Sequence, residues 1–150
     1  MEDSVNVYAL LVHIHSILRW LVLAAIILSL FIAYQGKKRR EYNAGIGYHR
    51  FALIMVHLQF IAGIVLYFIS PKVIMAATSF KDPVLRFFFV EHLIIMLAAV
   101  VVITIGFVKY KKTSDYRKKL KRIIVYYTIG LIIILIGIPW PFRNLGAGWL

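Results

Sequence analysis

Residues 8–34 read YALLVHIHSILRWLVLAAIILSLFIAY, and the cationic run GKKRR follows at 36–40. The stretch is longer than the roughly 20 apolar residues that cross a hydrocarbon core about 30 Å thick. Its interior is broken only by His13, His15, Ser16, Arg19 and Ser29. It follows an acidic start, Glu2-Asp3, and outruns a signal-peptide core of about 7–15 residues. It is therefore expected to stay in the mature protein as a first membrane-spanning helix.

Three further apolar stretches follow outward from it, at 49–69, 83–108 and 123–138. Their joints carry start and stop signals. Gly36 is expected to close the first helix and Ser70-Pro71 the second, while Asp82-Pro83 offers an N-cap followed by proline at the first helical position of the third. Ser114 or Asp115 should open a cationic extension, 116–122, that leads into the fourth, and Pro139 and Pro141 end it because neither has a backbone N–H to donate. Short connections make neighbours antiparallel. The expected fold is a single membrane domain over 1–150, an all-α, up-down bundle of four transmembrane helices.

Composition agrees with lipid as the solvent: 62% of the 150 residues are hydrophobic, against roughly 45–50% apolar in soluble chains. The net charge of +12 would suggest nucleic acid if the cations lined one folded face. They gather instead in two runs between apolar stretches, so nucleic acid is not an expected partner. Lys37, Lys38, Arg39, Arg40 and Arg50 follow the first span, and Lys109, Lys111, Lys112, Arg117, Lys118, Lys119, Lys121 and Arg122 follow the third. Only Lys72, Lys81, Arg86 and Arg143 belong to the other side, with Arg19 left inside the first span. By the positive-inside rule the cation-rich loops are cytoplasmic and both termini lie outside. The chain has no cysteine, which removes disulfides, iron–sulfur clusters and thiolate chemistry. No phosphate-cradling glycine loop and no serine triad can be assembled.

Ionisable groups within spans are costly and mark function. Here they are His13, His15 and Arg19 on the first helix, His57 with Gln59 on the second, and Glu91-His92 on the third. At about 1.5 Å per residue, His15 and His92 stand roughly 9 and 6 Å outward of mid-span, Arg19 falls near the centre, and His57 lies about 10 Å below the first two. First and third helices are diagonal in such a bundle, so His15 and His92 can meet across its core as the axial pair of a haem, iron being the metal. His13 points elsewhere around the helix and is the fallback. Arg19 can pair with Glu91 or a haem propionate, and Glu91 can instead fix a ligand imidazole. Gln59 and His57 suit a small-molecule or quinone pocket. Phe60, Phe88, Phe89, Met96, Ala98 and Ala99 are available to line a porphyrin slot. His49, beside Arg50, reads as interfacial. Ala25, Ser29 and Ala33 form a small-residue strip for close helix packing within the bundle or in a homo-oligomer.

Several stretches carry a resemblance. They are His13-Ile14-His15-Ser16-Ile17-Leu18-Arg19-Trp20, His57-Leu58-Gln59 with Gly63 and Leu66-Tyr67-Phe68-Ile69-Ser70-Pro71-Lys72, Arg86-Phe87 with Glu91-His92, and Gly137-Ile138-Pro139-Trp140-Pro141-Phe142-Arg143 with Gly146 and Gly148-Trp149. The chain resembles the small four-helix bacterial membrane proteins known as cytochrome b or cytochrome b-like. That resemblance implies haem b, electron transfer, the bacterial inner membrane and a redox partner, quinol or periplasmic. It points at His15, His57 and His92, with His13 and Glu91 close behind. The pattern lacks the four ligand histidines, in two pairs at opposite depths, of two-haem cytochromes b. Other readings of the same groups are a non-redox accessory or transport protein with a buried His/Arg/Glu network, a porphyrin-handling enzyme, and a bare-metal site of His13, His57, Glu91 and His92.

The charge asymmetry predicts that a reporter active only in the cytoplasm stays silent when fused after Leu150. Strong signal from that fusion would reverse the orientation.

Overall fold

The computed structural model describes residues 2–41 and 45–149, with the side chains of all but 2–6, 116 and 117. Four long helices carry the fold: α1 (Glu2–Arg39), α2 (Ile46–Ile69), α3 (Pro83–Lys112) and α4 (Tyr116–Gly137). Each contains an apolar segment long enough to cross a membrane. They pack antiparallel, α1 against α2 and α4, and α3 against α4 and α2, which leaves α1 and α3 diagonal. All the cationic runs consequently fall at one end of the bundle.

Two of the expected boundaries hold through side-chain chemistry. Asp82 Oδ1 accepts from the Val84 and Leu85 amides at 2.8 and 2.9 Å, with Pro83 at the first helical position. At the other end of α2, Ser70 leaves the helix in an extended conformation. One boundary moves. α1 runs through Gly36, which is buried, and ends at Arg39. The left-handed residue is Arg40, φ 61°, and the Glu41 amide returns to the Gly36 carbonyl at 3.0 Å, closing the last turn as in a Schellman motif.

The cation-rich half is tightly packed. Ile26, Ala33, Ile103, Tyr110, Leu120, Ile123 and Tyr127 are fully buried there, and small residues set the spacing. Ala25, Ser29 and Ala33 all face inward, so the strip serves packing within the bundle. A buried polar knot ties three helices: Ser29 Oγ and His49 Nδ1 are 2.7 Å apart, and the Tyr127 hydroxyl donates to the His49 carbonyl at 2.8 Å. His49 is thus wholly buried rather than interfacial. Its depth follows from Gly45, φ 73°, which turns the chain so that α2 begins against α1. The outward surface carries Phe31, Phe68 and Ile136 with more than half their area exposed, as suits side chains solvated by acyl tails.

Near its start α3 departs from α geometry. Residues Phe87–Glu91 form a π-helical turn, with the His92 amide bonded to the Phe87 carbonyl five residues back. Such turns insert one residue into a helix and recur at functional sites. This one lies immediately before His92.

At Gly106 of α3, a Cβ would meet the Cβ and ring of Tyr126 on α4. Gly106→Leu is therefore expected to destabilise the bundle by about 1–3 kcal/mol through overpacking, read as a lowered unfolding temperature in detergent. An unchanged temperature would show that this contact does not set the α3–α4 spacing.

Candidate functional site

The site exists because α4 is short. It stops at Gly137, whereas the first span begins at Val7 and the third at Pro83. The charge-poor end of the bundle therefore has three helices around a fourth corner that no helix fills. The segment 138–149 folds back over that corner as a strap, with a short turn at Pro141–Arg143 and left-handed residues at Asn144 and Gly146.

Stopping α4 within an apolar bundle strands its last carbonyls, and unsatisfied backbone groups are costly where water is absent. Pro139 and Pro141 aggravate this, since they remove the amides that would have bonded Leu135 and Gly137 four residues back. Side chains take their place. Trp140 Nε1 donates to the Leu135 carbonyl at 2.9 Å, Arg143 Nη1 to Ile136 at 2.9 Å and Ile138 at 3.1 Å, and His92 Nδ1 to Gly137 at 2.8 Å. That last bond crosses from α3 and fixes the tautomer of His92. With the proton on Nδ1, Nε2 carries a lone pair, and it has no protein partner among the described residues.

His15 reaches the same place from α1. Its ring centre is 6.5 Å from that of His92, the planes 74° apart. The ring lies against the bare backbone of Gly63, where a Cβ would stand 3.2 Å from Cε1. Gln59 Nε2 donates to the His15 carbonyl at 2.9 Å and stands 3.3 Å from His15 Nε2, while Nδ1 is buried without a partner. Both imidazoles line a cavity of about 250 Å³, just below the roughly 300–1,000 Å³ in which proteins hold small ligands. Val56, Ala99, Val100 and Ile134 make its depth apolar, and Tyr8, Ser70 and Lys72 stand among the lining at the charge-poor side.

Arg19 is 8% exposed and lines this cavity. Its Nη2 donates to the Trp149 carbonyl at 2.5 Å, which also accepts from Trp20 Nε1 at 3.1 Å. The Arg19 guanidinium carbon lies 5.4 Å from the Trp20 ring and 6.0 Å from the Trp140 ring. Its expected partner, Glu91, is elsewhere: Glu91 Oε1 accepts from Arg86 Nε at 2.6 Å. The π-turn explains the difference, because i→i+5 geometry stacks residues five apart that an α-helix would separate. Arg19 instead meets the strap, at the Trp149 carbonyl and beside the Trp140 ring.

Of the residues singled out from sequence, His15, His92, Gln59 and Arg19 converge on the cavity. His57 does not: its Nδ1 is bonded to the Leu53 carbonyl at 2.8 Å and its Nε2 lies 3.4 Å from Thr104 Oγ1. His13 is exposed on the outer face of α1, and Glu91 is outside the lining. Phe60, Phe88, Met96 and Ala99 line the cavity, and Phe89 and Ala98 do not. Among the described residues no three His, Asp or Glu side chains converge on a common point, so the bare-metal set of His13, His57, Glu91 and His92 is not assembled. Sequence reading missed the strap residues Gly146, Ala147 and Gly148. Their signal was the run of glycines after the proline pair, readable as a turn but not as a wall.

A haem fits the donor set. It supplies four of its own nitrogens and asks the protein for two, and each imidazole keeps one ring nitrogen without a protein bond. With ring centres 6.5 Å apart at one largely apolar cavity, His15 and His92 are the residues that would hold such a group. Set against models of known protein families, curated proteins and solved structures, the chain matches none of them.

Because Pro141 leaves the Gly137 carbonyl to His92, the His92 imidazole is expected to be protonated at Nδ1 in the cofactor-free protein, and Pro141→Ala, by restoring an amide to Gly137, to loosen this preference. Imidazole ¹⁵N resonances would report it. A wild-type His92 protonated at Nε2 contradicts the assignment.

Proposed function

We propose that the chain is a b-type cytochrome-like electron carrier of the bacterial inner membrane, holding one haem between His15 and His92 in the outer half of the bundle. The observation that carries this reading is the convergence of two imidazoles from diagonal helices on one largely apolar cavity, with ring centres 6.5 Å apart.

Each part of the surroundings has a task in that reading. The Gly137 carbonyl holds the His92 ring through Nδ1 and keeps Nε2 basic, as outer partners of ligand histidines do. Gly63 leaves room for the His15 ring, and Gln59 orients it. Val56, Met96, Ala99, Val100 and Ile134 exclude water from the cavity's depth, which favours a large flat apolar group. Bound haem supplies one-electron exchange at the outer side of the membrane, where quinol or a periplasmic protein can meet it. Below that pair the described residues offer only His49, whose Nδ1 is bonded to Ser29, and His57, whose nitrogens face the Leu53 carbonyl and Thr104, so one haem rather than two is the expected content.

The same bonds favour a second reading. His92 to Gly137, Arg19 to Trp149 and Gln59 to His15 also form the buried network of a non-redox accessory or transport protein. Absorbance separates the two. Protein made with ample haem is expected to show a Soret band with bis-histidine character, lost in His15→Ala and in His92→Ala and kept in His57→Ala. A wild type without that band leaves the network reading in place. Loss of haem in His57→Ala with retention in His15→Ala would move the cofactor deeper.

A further inference from the structure

The cavity that holds the two imidazoles has an unbalanced charge. Arg19 and Lys72 both line it, and no Asp or Glu does. Two ion pairs occur among the described residues, Arg86 with Glu91 and Lys118 with Asp115, and neither cation takes part in them. Each is held instead by a neutral acceptor of the strap, Arg19 by the Trp149 carbonyl and Lys72 Nζ by the Gly146 carbonyl, both at 2.5 Å. Those two carbonyls are three residues apart and so at most roughly 11 Å from each other.

Both cations have donors to spare. Arg19 Nε is buried without a partner, in a side chain more than nine-tenths removed from solvent. An ammonium carries three donors, and Lys72 Nζ has one acceptor, with the Phe88 ring 5.0 Å away. A guanidinium buried within an apolar bundle with only carbonyl and ring partners is costly to maintain. A charged acceptor stabilises it more than a neutral one does, since charge-assisted hydrogen bonds are about twice as strong. Trp149 would lose nothing if Arg19 turned toward such a group, because Trp20 Nε1 already donates to the same carbonyl.

We propose that Arg19 and Lys72 form a carboxylate-binding mouth to the cavity, taking the acid group of an amphiphile whose apolar body lies among the four helices. The ligand class is a carboxylate on a large apolar body. It has two sources, a porphyrin bearing propionates or a free fatty acid, and only the first rests on the haem reading. Phosphate and small hydrophilic anions fit poorly, because beyond the two cations and the His15, Gln59 and His92 side chains the lining is largely apolar.

Trp20, Trp140 and Trp149 surround the Arg19 guanidinium, with Trp20 and Trp149 stacked at 6.5 Å between ring centres, so tryptophan fluorescence of the purified full chain in detergent reports occupancy directly. Metal-free protoporphyrin IX is compared with its dimethyl ester, and oleate with methyl oleate. At least one acid should quench with an affinity about ten-fold or more above its ester. Arg19→Gln and Lys72→Gln should each erase most of that preference, and Arg19→Lys should restore part of it. The acid-against-ester comparison on wild type needs no variant and stands if a variant fails to fold. Equal affinity of acid and ester, binding of neither acid, or a preference that survives both Gln substitutions overturns the proposal. Acid-selective binding of oleate with no porphyrin binding keeps the mouth, names a lipid as its ligand and ends the haem reading. Loss of the Soret band in the haem-loaded protein ends the haem reading alone.

Discussion

The hydrogen bond from His92 Nδ1 to the Gly137 carbonyl joins the end of one helix to the chemistry of another, and much of the charge-poor half depends on it. A helix that ends inside an apolar bundle must have its terminal carbonyls bonded by something other than water. With prolines at 139 and 141, the backbone cannot do so for Leu135 and Gly137. The chain answers with Trp140, Arg143 and His92, and the corner left open above α4 becomes a cavity. Shortness of α4, closure by the strap and a fixed tautomer at His92 are thus consequences of one termination.

The two halves of the bundle use polar groups in opposite ways. In the cation-rich half Ser29, His49 and Tyr127 bond one another across three helices and are fully buried beside close-packed Ile and Leu. This knot fixes the register of α1, α2 and α4 and encloses no lining of the cavity. In the charge-poor half many of the bonds are made to backbone carbonyls, and atoms of His15, Arg19 and Gln59 remain buried without partners, whereas in the cation-rich half, among the described residues, only the Tyr110 hydroxyl does so. A satisfied network rigidifies a core, whereas a partly satisfied one leaves donors and acceptors for a ligand.

Much of the site was legible in the sequence. His15 and His92 could be paired because helical rise converts sequence position into depth, and antiparallel succession makes first and third helices diagonal. Arg19 follows His15 by one helical turn, whereas Gln59 was grouped with His57 and only packing brought it to His15. Other placements failed for local reasons. The Arg19–Glu91 pairing assumed an unbroken α-helix, and the π-turn at Phe87–Glu91 gave Glu91 to Arg86. His49 looked interfacial because Arg50 follows it, yet Gly45 turns α2 so that one neighbour is buried and the other exposed. Gly36 looked like a terminator, but the left-handed conformation was taken one turn later by Arg40.

Composition and pattern alone determined that this is a multi-pass membrane protein of four antiparallel helices, because the bilayer's thickness fixes how many consecutive apolar residues a span needs and charge marks the loops between. They determined as well that histidine, arginine and glutamine lie within the spans. Which of these groups meet was decided by tertiary structure, since a contact depends on helix rotation, on one inserted residue in a π-turn and on where a strap of glycines folds back. None of these has a period that a sequence displays. Depth along a helix is counted in residues, but the direction in which a side chain points across a bundle is settled only when neighbouring helices have packed.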